Sequence, residues 1–200
     1  EKKLMDSSME DISVSGYLEI IMGPMFSGKT TRIIELHKQY TYCNIPGILI
    51  NHVSDVRYGE NNMITTHDQH SIKGYQTSCL KDFIALNEQL YSNSSAILIN
   101  EGQFFPDLYE TVLRMVEKDG KRVHIAGLDG DFKRNLFGSL NTLIPVADKI
   151  TKLFALCAIC KNGSKALFSH RIVENDSQVM VGSSIYQPLC RKCYLQNNST

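Results

Sequence analysis

The chain has no excess of either charge: 21 Lys and Arg face 21 Asp and Glu across 200 residues. It therefore carries no general basic field of the kind that draws in nucleic acid or an anionic membrane. No apolar run approaches membrane-spanning length. The first ten residues, Glu1 to Glu10, are polar and lack the apolar core of a secretory signal. Internal repeats and low-complexity tracts are absent. The histidines, His67 and His70 among them, show no metal-ligand spacing. These absences set the expectation of a cytoplasmic protein with no membrane and no nucleic-acid partner. The rest is ordinary for a folded chain. It is 42% apolar and long enough for one full domain with a small appendage.

One stretch organises the chain. Gly23, Pro24, Met25, Phe26, Ser27, Gly28, Lys29 and Thr30 fit G-x-x-x-x-G-K-[ST], the phosphate-binding loop. Tyr17 to Met22 before it reads as a buried strand, and Thr31 to about Tyr40 after it as an amphipathic helix. A glycine-rich turn in that setting lets backbone N–H groups converge on phosphate oxygens. Lys29 would reach the outer phosphates, and the Thr30 hydroxyl would bind Mg²⁺.

Further strands are expected at Ile48–Asn51, Ala96–Ile99 and Arg122–Leu128, with helices over Leu80–Tyr91 and Leu108–Lys118. The segment Asp55–Lys73 has little periodicity and reads as a mobile loop near the site. Strands alternating with helices predict an α/β fold with an open, mostly parallel sheet. Its ligands should lie at the carboxyl ends of the strands, where Gly23, Asp55, Glu101 and Asp129 fall. Glu101 could accept a proton from an attacking hydroxyl; an isolated acid at a strand end is as often merely solvated. Asn100, at the position that usually helps hold Mg²⁺, is neutral. Arg57 could contact phosphates and Asp55 a metal-bound water, although a surface turn would look the same. Met25, Phe104, Phe105, Leu128, Phe132 and Phe137 fall near strand ends and read as core or as a slot for a flat base.

Beyond about Leu153 the character changes. Cys157, Cys160, Cys190 and Cys193 form two C-x-x-C pairs with 29 residues between them. Two such pairs suit a closed tetrahedral Zn²⁺ site of structural role. Short strands are expected between them at Phe168–Val173 and Gln178–Val181. The domain expectation is a flexible tail (1–15), a P-loop α/β nucleotide-binding domain (16–152), a small zinc-binding domain carrying a long loop (153–194), and a tail (195–200).

From about Tyr17 to Tyr194 the chain resembles the type II thymidine kinases. Carrying this resemblance are Gly23–Thr30, Asp55–Tyr58, Thr66–Asp68, Glu101–Asp107, Leu128–Phe132, Phe137–Gly138, the four cysteines and Tyr186. The resemblance implies transfer of the γ-phosphate of ATP, with Mg²⁺, to the 5′-hydroxyl of thymidine, in pyrimidine salvage for DNA synthesis. It implies that Gly23–Thr30, Asp55, Val56, Arg57, Asn100, Glu101, Gly102 and Gln103 surround ATP, with Glu101 as catalytic base. The pyrimidine would meet Met25, Phe104, Leu128, Phe132, Phe137 and Tyr186. It would also meet Ser177, Gln178, Val179, Met180 and Val181 of a lasso loop, largely through backbone groups. A homotetramer and feedback inhibition by dTTP are implied as well. Where this chain has Asn100 the family usually has Asp, and Ser169 and Val181 stand at variable lasso positions. Two rival expectations are a catalytically weak nucleotide sensor, motivated by Asn100, and a zinc-ribbon nucleic-acid ATPase, which the balanced charge disfavours.

Overall fold

The computed structural model describes residues 16–55, 63–65, 71–174, 177–180 and 182–198. β1 (Tyr17–Met22) leads through the glycine-rich loop into α1 (Lys29–Tyr42) and then β2 (Gly47–His52). An antiparallel pair follows, β3 (Met63–Thr65) and β4 (Ser71–Lys73), then β5 (Tyr75–Thr77). Next come α2 (Leu80–Leu86), α3 (Glu88–Asn93), β6 (Ala96–Asn100), α4 (Leu108–Leu113), β7 (Arg122–Gly127) and β8 (Lys149–Lys152). Six strands form one sheet in the order β5-β2-β6-β7-β1-β8, with every neighbouring pair parallel.

Parallel strands are covered on both faces, so their sequences read as unbroken apolar runs whose alternate residues serve different cores. Ile21, Leu49, Leu98 and Ala126 pack with Ile33, Ile34 and Leu36 of α1 on one face. Ile20, Ile50, Ile97, Ile99 and Ile125 pack with Leu80, Phe83, Leu108, Val112 and Met115 on the other. Each buried Ile, Leu, Val, Phe or Met among them stabilises the fold by about 1.5–3 kcal/mol. The charged exception inside β1 is Glu19. Its carboxylate accepts from Thr151 Oγ1 at 2.8 Å and pairs with Lys149 Nζ at 2.9 Å, both on β8, and with His124 Nδ1 at 3.0 Å. The other nitrogen of His124 meets the Tyr40 hydroxyl at 2.7 Å. A buried carboxylate is tolerable when it is paired and hydrogen-bonded in this way.

Several expectations need correction. The helix expected over Leu80–Tyr91 breaks at Asn87, whose side-chain amide donates to the Phe83 carbonyl at 2.9 Å and competes with the helical ladder. The helix expected over Leu108–Lys118 is α-helical only to Leu113. It then widens into a π-turn over Arg114–Lys118, closed by Asp119 N–H on the Arg114 carbonyl. The segment expected as a loop to Lys73 contains the β3–β4 pair. Its Thr66, His67, Asp68 and His70 lie outside the described residues, as do Val56, Arg57, Tyr58 and Val181.

The C-terminal part is built from two small antiparallel pairs. β9 (Ala155–Leu156) pairs with β10 (Lys165–Ala166), and β11 (Phe168–Arg171) with β12 (Tyr186–Leu189). α5 (Arg191–Asn197) follows. Ala155, Ala166, Leu189 and Tyr194 pack around the cysteines as a third core. The strand expected to reach Val173 stops at Arg171, and residues 178–180 form no strand. Their carbonyl groups accept from side chains instead: Gln178 from Arg171, Val179 from the Ser177 hydroxyl and Met180 from Tyr186.

Candidate active site

The glycine-rich loop turns at the carboxyl end of β1. Gly28 takes φ 85°, a left-handed conformation natural to glycine, and passes the chain into α1. Gly23 lies so close to Leu153 that an added Cβ would come within 2.5 Å of its carbonyl oxygen. Lys29 is buried and donates to the Pro24 carbonyl at 2.7 Å, across its own loop. Among the described residues the Ser27 hydroxyl is buried without a hydrogen-bond partner. An orphaned donor inside a loop of converging amides is what an anion would satisfy. The loop therefore fits a phosphate group.

Beside it, Thr30 Oγ1 faces Asn100 Oδ1 at 3.4 Å. Asn100 is only 1% exposed, and its Nδ2 donates to Asn51 Oδ1 at 2.9 Å. That bond fixes which end of the amide faces Thr30. Two neutral oxygens therefore meet at the head of α1, with the buried carboxylate of Asp55 on the same cavity. Oxygen donors of this kind suit Mg²⁺.

Glu101 follows Asn100 in the left-handed region, at φ 55° and ψ 42°. A non-glycine residue there is uncommon and strained. Gln103 braces it: Nε2 donates to Glu101 Oε2 at 2.7 Å, while Oε1 accepts from the Leu128 N–H at 2.9 Å. Gln103 is 3% exposed, so the brace is shielded from water. His52 is nearby, stacked on Phe104 at 5.4 Å, and burial lowers its pKa from the ordinary value despite the charge of Glu101.

A cavity of about 150 Å³ joins these parts. From the phosphate loop it takes Met25, Phe26, Ser27, Gly28, Lys29 and Thr30; beyond it lie Asp55, Glu101, Gln103, Phe104, Leu128, Phe132 and Phe137. Gln178, Val179, Met180 and Tyr186 close the far side. Phe104 and Phe137 meet edge to face at 5.3 Å. Gly23, Pro24, Asn100, Gly102 and Ser177 are not part of this lining. Phe105 belongs to the core, 1% exposed. The lining also takes in residues that the sequence does not mark as site residues: Thr31, Ser54, Gly130, Asp131, Ser169 and Gly182. Ser169 accepts from the Met25 N–H at 2.9 Å, tying β11 to the phosphate loop. Asp131 accepts from the Gln178 side chain at 2.9 Å. Neither has a local sequence signal, since each acts through a partner far along the chain.

The four cysteine sulfurs lie within 4.8 Å of one another. Burial raises the Cys157 thiol, but backbone N–H groups of Cys160, Cys190 and Ile159 more than offset this and bring it to about 6. The set fits a tetrahedral metal ion such as zinc.

The family model described as thymidine kinase matches residues 16–194. The chain belongs to the thymidine kinase family. Thymidine kinase 1 of Dictyostelium discoideum is 40% identical over 185 residues, covering 90% of this chain and 78% of the relative. The thymidine kinase of Yaba monkey tumor virus is 40% identical over 188 residues, 94% of this chain and 99% of its own. That of Bacteroides thetaiotaomicron is 38% identical, with 90% and 88% covered. Membership makes this a kinase family chain, and among its described residues no helix is long and apolar enough to cross a membrane.

Proposed function

We propose that the protein transfers the γ-phosphoryl group of ATP to the 5′-hydroxyl of thymidine. One observation carries the mechanism: a braced carboxylate, Glu101, borders the same cavity as the phosphate loop and the aromatic slot. The loop amides and Lys29 bind the phosphates and stabilise charge on the transferring group. Glu101 takes the proton of the attacking hydroxyl. Phe104, Phe132, Phe137 and Tyr186 hold the flat base, with Leu128, Met25 and lasso residues 177–181 around it. Val56, Arg57, Asn100, Gly102 and Gln103 complete the ATP side. Mg²⁺ held near Thr30 would supply charge neutralisation to the phosphates. Zn²⁺ on the four cysteines would pin both ends of the lasso and reduce its freedom. The division into residues 16–152 and 153–194, a homotetramer, and inhibition by dTTP belong to the same proposal.

The test is thymidine phosphorylation with ATP and Mg²⁺, in the wild type and in Glu101→Gln. Loss of a general base lowers kcat by roughly 10²–10⁴. A variant with near-normal kcat would remove Glu101 from the role. The neutral Asn100–Asn51 pair favours one second reading, a catalytically weak nucleotide sensor. Tight nucleotide binding with no turnover at saturating Mg²⁺ would select it.

A further inference from the structure

Behind the cavity lies a buried cation that the proposed chemistry does not use. Arg171 is the last residue of β11, directly opposite Tyr186 on β12, and it is 5% exposed. Its Nη1 donates to the Ser177 carbonyl at 2.5 Å, and its Nη2 to the Gln178 carbonyl at 3.0 Å. Nε and Nη2 both reach the Tyr186 hydroxyl, at 3.2 and 2.7 Å. That hydroxyl donates in turn to the Met180 carbonyl at 3.2 Å. The guanidinium carbon sits 3.7 Å from the centre of the Phe132 ring. One planar group thus touches the loop, the aromatic floor and the facing strand.

We propose that Arg171 is the positioning residue of the base-binding loop, setting which backbone groups face the substrate. This role presupposes the proposed thymidine kinase activity and follows from peptide geometry. A trans peptide points its C=O and its N–H to opposite sides. The carbonyls of Ser177 and Gln178 both turn to Arg171. The N–H groups of Gln178 and Val179 therefore turn away from it. In a strand, successive carbonyls alternate between sides, so this same-side pair is imposed by the fork of the guanidinium. Arg171 does not line the cavity, whereas Gln178 and Val179 do. The two N–H groups accordingly lie on the side where a ring carbonyl of a pyrimidine would accept them. The same cation holds Phe132 flat for stacking. Lysine cannot replace it, because it has neither the planar fork nor the stacking face.

The test compares Arg171→Lys with the wild type in steady-state kinetics on the full chain as purified. Hydrogen bonds to a charged group are worth enough to change affinity by roughly tenfold or more. KM for thymidine should rise by that factor, with KM for ATP and kcat each within about threefold. A folded variant with wild-type KM for thymidine overturns the proposal, as does an equal loss in the ATP terms. Should Arg171→Lys not fold, Tyr186→Phe removes the shared hydroxyl, and an unchanged KM for thymidine there overturns it too. A wild type that phosphorylates no nucleoside would overturn the kinase reading instead. Hydrogen exchange of the 177–180 amides then decides the clamp: faster exchange in the variant by roughly tenfold supports it, and unchanged exchange overturns it.

Discussion

Exchanging Gln103 for Glu tests the brace on the proposed base with almost no change of shape. Gln103 makes two opposite bonds: it donates to Glu101 at 2.7 Å and accepts from Leu128 N–H at 2.9 Å. Glutamate keeps the acceptor and loses the donor. Two carboxylates at that separation cannot both ionise readily, so the pair retains a proton to higher pH. Activity that needs a free carboxylate then begins at higher pH. The acid limb of kcat should move up by at least about one pH unit, a difference of about 1.4 kcal/mol. The sign for stability follows from the same pair. An acid whose folded pKa is raised stabilises least above that pKa, so the variant loses stability as pH rises from about 4.3 through the raised value. Gln103→Met separates the two bonds. It removes both and leaves the Leu128 N–H without this acceptor, at about 1–3 kcal/mol. Its melting temperature should fall by several degrees, roughly 2–4 °C per kcal/mol for a chain of this size. Its acid limb should not move up as in Gln103→Glu, because no second carboxylate is present. Rates from pH 5 to 9 and thermal melts for the two variants give the pattern. A Gln103→Glu enzyme with wild-type kcat and an unmoved limb would refute the brace.

Three other outcomes are expected. Asn100→Asp places a charge beside Thr30 and removes the donor to Asn51 Oδ1, so the Asn51 amide must turn over to donate to the new carboxylate. The Mg²⁺ needed for half-maximal rate should fall about tenfold, the effect of about 1.4 kcal/mol, and an unchanged requirement would show that Asn100 does not face the metal. Burial lowers the pKa of His37, His52, His124 and His170 below the ordinary 6.5. The unfolded chain therefore takes up protons first, so stability is full above about pH 6.5 and declines as pH falls below it. A melting temperature that rises between pH 7.5 and 5.5 would contradict this. Metal analysis should find about one Zn²⁺ per chain. Stripping it with a strong chelator should weaken thymidine binding more than ATP binding; a metal-free chain with an unaltered melt would exclude a structural role.

The central strands were legible because a strand covered on both faces is mostly apolar: Ile48–Ile50 and Ala96–Ile99 are so throughout, and Val123–Ala126 is interrupted only by His124, which pairs with Glu19. The edge strands were not. β5 is Tyr-Gln-Thr and β8 is Lys-Ile-Thr-Lys, polar because one side of each has no neighbour to pack against. The phosphate loop and the paired cysteines were legible for a different reason: their chemistry is set by spacing within a single turn. Gln103, Ser169 and Arg171 show nothing of the kind. Each is an ordinary polar residue until the fold brings Leu128, Met25 or the 177 and 178 carbonyls to it.

Asn100 and Glu101 illustrate the difference most sharply. Alternation along a strand sends neighbours to opposite faces, which sets against each other a role for both at one site. The left-handed turn at Glu101 removes the conflict. β6 ends at Asn100, which stays in the buried layer with its oxygen toward Thr30. The chain then reverses its local hand, and the next side chain swings out to the cavity. A turn of this kind costs of order 1–3 kcal/mol and persists only where surrounding contacts hold it. Gln103, two residues on, supplies such a contact by gripping the carboxylate that the turn delivers. The strain and the brace therefore belong to one device. Its product is a carboxylate on the cavity and a buried amide turned toward Thr30, adjacent in the chain and delivered in two directions from one strand end.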